Sequence, residues 1–215
     1  GGHRYGAQND AGGNQRGAAN PGLGIVTDGS TLTEAEKAAL LYMVEEEKLA
    51  SDVYAYLYQV WGVPVFQNIQ QSESQHQQAV ANLLDQYGIA NPASAQAGVF
   101  TNPDLQALYQ TLITQGRQSL AEALRVGALI EETDIYDLQQ RLSQVTNPAV
   151  RQVFTHLLSG STHHLSSFVT LYERETGATY TPQVLSADQI TQLLTAPGSA
   201  SAGYGRGSGY RGGRN

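Results

Sequence analysis

Four stretches of the chain put ionisable side chains where an apolar stripe should run. Glu47 sits among Leu40, Met43, Ala50, Tyr54 and Leu57. Glu73 and His76 interrupt Ile69, Val80, Leu83 and Tyr87. Glu131 and Asp134 interrupt Leu124, Gly127, Ile135 and Leu138. Ser161 and His164 interrupt Phe154, Leu157, Phe168 and Leu171. These spacings are helical, so each set shares one face. One inward Glu or His is ordinarily a hydrogen-bonded core residue. Four stretches doing this at comparable depth form a different pattern, because unpaired buried carboxylates are costly and clustered ones repel. Basic residues to neutralise them are scarce on these faces; Arg125, one residue off the third stripe, is the nearest. Divalent metal resolves the conflict. Glu47, Glu73, Glu131 and Asp134 carry four negative charges, which match two divalent ions, and His76 and His164 add neutral nitrogen donors. A mixed oxygen and nitrogen set points to one or two transition-metal ions, iron or manganese first and zinc next. Glu73-Ser74-Gln75-His76 is a Glu-x-x-His pair, which aims both side chains at one place on a helix.

The elements that must position these residues are helices. Thr33-Glu34-Ala35-Glu36 is a capping box that opens a helix running to about residue 60, before Trp61-Gly62. A second helix is expected over about 65–87, stopping at Gly88. Asn102-Pro103 starts a shorter one to about residue 114, with Asn as cap and Pro at the first position. A third long helix is expected over about 119–143. Asn147-Pro148 starts a fourth, ending near Thr176-Gly177, and a short helix follows over about 186–196. Residues 179–184 are the only extended stretch of note. The expected fold is all-α: a four-helix bundle with short extra helices.

Glycine divides the chain. Of 23 Gly, nine lie in residues 1–30 and seven in 196–215. We therefore divide it into a Gly-rich tail (1–30), a helical bundle (31–176), an extended segment with a short helix (177–197) and a Gly/Tyr/Arg-rich tail (198–215). Such tails bury too little apolar area to offset their ordering entropy. Charged residues are only 14% of the chain, well below the usual ~25%. The net charge is -7, from 12 Lys+Arg and 19 Asp+Glu, which argues against a dedicated nucleic-acid binder. With no Cys, disulfide scaffolds, thiolate metal sites and Cys nucleophiles are excluded. No apolar run approaches the ~20 residues of a membrane span. P-loop, Gly-x-Ser-x-Gly and His-Glu-x-x-His motifs are absent, as is an EF-hand loop of spaced Asp, Asn and Gly. The Gly1-Gly2 opening, the missing Cys and the scarcity of Lys lead us to expect an exported protein, extracellular or periplasmic.

The stretches EEEKLASDVYAYLYQVWG (45–62), FQNIQQSESQHQQAVANLLDQYG (66–88), SLAEALRVGALIEETDIYDL (119–138) and FTHLLSGSTHHLSSFV (154–169) carry a resemblance. Together they make the chain resemble the ferritin-like superfamily of carboxylate-bridged di-metal proteins. Within it, the chain is similar to an uncharacterised bacterial and archaeal family of unknown function. The resemblance spans about 33–176 and neither tail. It implies a di-iron-type site at the bundle centre, with Glu47 as the carboxylate of the first long helix and Tyr54 as its neighbour outside the ligand set. It also implies Glu73 and His76 as the second-helix pair, Glu131 as the third-helix carboxylate and His164 as the fourth-helix histidine. The chain departs from the superfamily pattern at Ser161, where a Glu three residues before His164 is expected. Asp134, one turn after Glu131, is the candidate replacement.

Three acids beside these positions, Glu45, Glu46 and Glu132, are expected in solvent or behind the ligands. His163 points about 100° away from His164 and is expected on the surface or behind the ligands. The tails place Arg4, Tyr5, Arg16, Tyr204, Arg206, Tyr210, Arg211 and Arg214 among Gly, and no acid follows Asp188. Arg and Tyr in that setting make cation–π and stacking contacts. The expected partner is a second copy of the chain, basic tails reaching over acidic bodies, in a closed oligomer or a filament. The alternatives are inert tails or single-strand binding. Two functions follow: a metal-binding bundle that self-associates, or a purely structural subunit of an extracellular filament or matrix.

Overall fold

The computed structural model describes residues 31–195, and these are helical with no strand among them. Six helices follow in order: α1 (Glu34–Trp61), α2 (Pro64–Gln86), α3 (Pro103–Gly116), α4 (Leu120–Leu142), α5 (Pro148–Thr176) and α6 (Ala187–Thr195). The tails over 1–30 and 198–215, with the self-association assigned to them, lie outside the described residues, as does the expected last residue of the short helix.

The helix starts follow from local chemistry. Thr33 accepts from the Glu36 amide while Glu36 reaches back to the Thr33 amide, the reciprocal box that satisfies two free donors. Asn102 and Asn147 each cap a helix whose first residue is proline. Ser119 accepts from the Glu122 amide at the start of α4. Gly62 and Gly177 end α1 and α5 in the left-handed region, with φ of 64° and 69°, where a side chain would be strained.

Two residues separate α1 from α2, so these helices return antiparallel and pack along their length. α4 packs against α5 in the same way, and the two pairs meet through α2 with α5 and α1 with α4. α3 lies against α1 and α4. Trp61 Nε1 donates to the Gly116 carbonyl at 2.8 Å and joins the ends of α1 and α3.

The apolar core is split in two. One cluster holds Leu49, Tyr54, Leu57, Phe66, Ile69, Ile130, Leu165 and Phe168. The other holds Leu40, Met43, Val44, Val80, Leu83, Leu138, Phe154 and Leu157. On α1 the break falls between Val44 and Leu49, on α2 between Ile69 and Val80, on α5 between Leu157 and Leu165. The polar layer fills that break. Residues 179–184 form no strand; they run as an irregular segment fastened to α4.

Candidate metal centre

Each long helix delivers one part of the polar layer. α1 brings Glu47, α2 brings Glu73 and His76, α4 brings Glu131 and Asp134, and α5 brings Ser161 and His164. Glu47, Glu73 and Glu131 are each 1% exposed, His76 4% and Asp134 5%. The His164 side chain is nearly buried as well.

Glu73 stands at the middle. Its Oε2 accepts from His76 Nδ1 at 2.8 Å, and its Oε1 lies 2.6 Å from His164 Nδ1. Glu47 Oε2 lies 3.3 Å from His76 Nδ1, and Glu131 Oε2 lies 3.5 Å from His164 Nδ1. Two triads result, Glu47–Glu73–His76 and Glu73–Glu131–His164. In each, one donor atom per residue lies within 4.8 Å of the others. Glu73 belongs to both. Gly160 on α5 makes room for His76, since a Cβ there would stand 2.6 Å from His76 Nε2.

Asp134 joins neither triad. Its Oδ2 is hydrogen-bonded by Ser161 Oγ, the residue that replaces the expected fourth-helix Glu. A carboxyl from α4 therefore stands beside Ser161 of α5. Tyr54 is placed differently from its expected role: its hydroxyl donates to Glu131 Oε1 at 2.6 Å, across to α4, and not to Glu47 on its own helix.

The electrostatics is dominated by burial and mutual repulsion. Burial pushes Glu47 well above the ordinary carboxylate value, and Asp134 and Glu73 push it further. Asp134 is raised by burial, with Glu73 and Glu131 adding to it against the Ser161 hydrogen bond. Glu131 is raised by burial and then by Glu73. Glu73 goes the other way: His164 and His76 outweigh its burial and hold it ionised. Burial would lower His164, but Glu131 and Glu73 push it up to about 10. Tyr54 is raised by burial and by Glu131.

Glu47 Oε1, Glu73 Oε1, Asp134 Oδ1 and His164 Nδ1 are buried without a hydrogen-bond partner. Glu73 Oε1 and His164 Nδ1 face each other at 2.6 Å, but Glu47 Oε1 and Asp134 Oδ1 stand alone, and burying such a group without a partner costs ~1–3 kcal/mol, more when charged. Oxygen and imidazole donors gathered in this way could hold a metal ion.

The neighbouring acids are buried, so of the two placements expected of them, in solvent or behind the ligands, solvent is ruled out. Glu45 takes the Thr101 and Asn102 amides at the start of α3. Glu132, fully buried, takes the Tyr180 hydroxyl and the amides of Gln183, Val184 and Leu185. Glu46 is 5% exposed and its Oε2 has no partner. These roles depend on α3 and on the segment after Gly177 folding over α1 and α4, which no spacing within one helix encodes. Arg125 is half-exposed beside Glu122, away from the centre. Arg141 is the basic residue that bears on the buried acids, through Glu46. Lys48, buried as well, is tied to Asp52 and the Gln96 carbonyl. Of its two expected places, His163 takes the surface.

The sequence pattern described as an uncharacterised protein domain, DUF2202, matches residues 36–197. The uncharacterised protein MJ0754 of Methanocaldococcus jannaschii is 39% identical over 166 residues, covering 77% of this chain and 89% of that protein. The crystal structure of that hypothetical protein superposes with a TM-score of 0.76 at 38% identity, over 78% of this chain and 96% of the solved one. No helix among the described residues is long and apolar enough to cross a membrane.

Proposed function

The chain belongs to the DUF2202 family, and on that premise we propose that it is a ferritin-like four-helix bundle holding one or two transition-metal ions at its centre. Iron or manganese is the expected metal, with zinc next. The single observation that carries this reading is Glu73, which turns one carboxylate oxygen to each of two histidines and is common to both triads. Carboxylates that bridge two ions, one oxygen to each, are placed in this way in di-metal bundles. Glu47 and His76 complete one position, and Glu131 and His164 the other. Asp134, with its free Oδ1, is the sixth donor. Tyr54 fixes the orientation of Glu131, as partners of metal-bound carboxylates do.

Iron or manganese held there would supply redox capacity of the kind that oxidises Fe(II) or consumes peroxide. The chain's own part is to hold the donors rigidly and to keep water out, which the two flanking apolar clusters do. The test is elemental analysis of protein purified without added metal, followed by titration of the metal-free chain with Fe(II), Mn(II) and Zn(II). One or two ions per chain support the reading. A chain that arrives without metal and takes up none of the three overturns it.

The Gly/Tyr/Arg composition of the tails supports a second property, self-association outside the cell. Sedimentation of the full chain against one lacking 1–30 and 198–215 tests it. Equal assembly of the two overturns it.

A further inference from the structure

The centre is built in two levels, and the register of the helices sets them. α1 and α4 are antiparallel: the Arg141 guanidinium stacks on Tyr42, and Tyr54 donates to the Gly127 carbonyl. Between these contacts Glu47 comes opposite Asp134. α2 and α5 are antiparallel as well, since Phe66 meets Phe168 at one end and Asn147 donates to the Tyr87 hydroxyl at the other. Between those contacts His76 backs onto Gly160, the residue before Ser161. Glu47, His76, Asp134 and Ser161 therefore share one level, one from each long helix. Glu73, Glu131 and His164 share the next. There α1 brings Ala50, one turn after Glu47, and it has no donor to give.

We propose that Ser161 is a positioning residue that fixes Asp134 as a one-oxygen donor to the Glu47–His76 position, which makes the two metal positions unequal and that one the tighter. The inference rests on the metal-binding reading above.

Hydrogen bonding supports it. Ser161 is fully buried. Its Oγ donates to Asp134 Oδ2 and lies 2.9 Å from the Leu157 carbonyl one turn back, so the hydroxyl is held between two acceptors. Asp134 lies outside both triads with that oxygen occupied. Oδ1, buried and without a hydrogen-bond partner, is the oxygen left to an ion. Across the same level Glu47 Oε1 is buried and unpartnered as well. A carboxylate tied in this way cannot span two ions, so Asp134 adds to one position, while Glu73 is common to both triads. The donor sets then differ. Glu47, Asp134, the shared Glu73 and His76 give one position three carboxylates and an imidazole. Glu131, the shared Glu73 and His164 give the other two carboxylates and an imidazole. Affinity for a cation rises with the number of charged donors and with the partners that hold them rigid.

The experiment titrates the metal-free full chain with Co(II), read by the visible bands of the bound ion and by equilibrium dialysis. The parent chain is expected to fill in two steps, of which Asp134→Asn weakens the first and spares the second. Two backgrounds then isolate the positions: Glu131→Ala leaves Glu47–His76, and Glu47→Ala leaves Glu131–His164. Asp134→Asn, which keeps the shape and a carbonyl for Ser161, and Ser161→Ala are placed in each, with circular dichroism as the check on folding. In Glu131→Ala, Asp134→Asn is expected to weaken the remaining ion at least about tenfold, and Ser161→Ala to weaken it in the same direction. In Glu47→Ala neither is expected to change affinity by more than about twofold. An equal loss in both backgrounds, or in both steps of the full chain, overturns the proposal, because Ser161 and Asp134 then only support the fold. A loss confined to Glu47→Ala, or none in either background, overturns it as well. If the parent chain takes up no Co(II), the metal-binding reading itself fails, and that result is distinct from these.

Discussion

Glu73 Oε1 lies 2.6 Å from His164 Nδ1, although the two residues are 91 positions apart in sequence and on different helices. The contact lacks the alignment of a hydrogen bond on either atom. Glu73 also serves His76 through its other oxygen. Removing this one carboxyl should therefore damage both halves of the centre, whereas removing Glu47 or Glu131 should damage one. Glu73→Ala is expected to lose both ions, with affinity down at least about 100-fold. Glu47→Ala and Glu131→Ala are each expected to keep one. Equilibrium dialysis with elemental analysis reads the count directly. Unchanged stoichiometry in Glu73→Ala would sink the assignment.

The protons that a metal ion must displace fix the pH dependence of binding. His164 is pushed up to about 10 by Glu131 and Glu73, so without metal it is protonated at neutral pH. Burial also raises Glu47, Glu131 and Asp134, so it favours the proton-bound form of each. A metal ion binds the deprotonated forms, so it must displace protons, and affinity must rise with pH below 10. The expected slope is about tenfold per pH unit for each proton displaced. Calorimetry in two buffers of different ionisation enthalpy counts the protons at each pH. A flat affinity between pH 6 and 9 contradicts the placement of His164 beside two carboxylates.

Gly160 offers a test of position without touching a ligand. A Cβ at that residue would stand 2.5 Å from His76 Cε1 and 2.6 Å from Nε2. Gly160→Ala must move the imidazole away from α5. Helix propensity favours the alanine by ~1 kcal/mol, and overpacking opposes it by ~1–3 kcal/mol, so stability should change little. Metal affinity should fall about tenfold or more, because the imidazole is no longer where its donor is needed. Paired thermal denaturation and metal titration separate the two effects. A variant that binds as tightly as the parent shows that His76 does not need this packing.

Much of this was legible in the sequence, and the reason is local. Thr33 with Glu36, Asn102 with Pro103 and Asn147 with Pro148 are caps whose partners lie within three residues, so helix starts can be read directly. Glu47, Glu73, His76, Glu131 and His164 were visible as polar breaks in 3.6-residue stripes, since period alone decides which face is inward. Tyr54 shows where the reading ends. It shares a helix with Glu47, yet it donates to Glu131, because the pairing of α1 with α4 decides its partner. Glu46 and Glu132 lie off the stripes, so period alone leaves them between solvent and a place behind the ligands; α3 and residues 180–185 bury them from distant parts of the chain.

Glu132 gives the fourth prediction. It gathers three successive amides, Gln183 to Leu185, and the Tyr180 hydroxyl. Hydrogen bonds to a buried carboxylate contribute ~1.5–3 kcal/mol each, whereas the further tie of this segment to α4, Gln183 Nε2 donating to the Arg125 carbonyl, is a bond between neutral groups. Glu132→Ala should release this segment: hydrogen exchange at residues 183–185 should quicken by at least tenfold while the amides of α2 stay protected. The metal count should not change, because neither triad contains Glu132. Protection that persists at 183–185 shows that apolar packing of Tyr180 and Leu185 alone suffices.

Glu36 couples the first helix to the turn before α5 and predicts an acid limit of stability. Its carboxylate accepts from Thr33 N and Oγ1, from Thr146 N and Oγ1, and from Asn147 N, at 2.7 to 3.1 Å. Burial alone would raise it, but these donors favour the charged form and lower it from 4.5 to about 2. A carboxyl depressed on folding adds stability above its unfolded value and loses it as the pH falls through the folded one. The contribution is therefore full above pH 4.5 and gone near pH 2. Glu36→Gln, which cannot carry the charge, should be less stable than the parent by about 2 kcal/mol at pH 7. The gap should close between pH 4.5 and 2 as the parent takes up its proton. Urea denaturation of both chains across that range measures it. A gap that stays constant down to pH 2 means that the amide serves Thr33, Thr146 and Asn147 no worse at acid pH than at neutral, and that charge is not what fastens α1 to the turn.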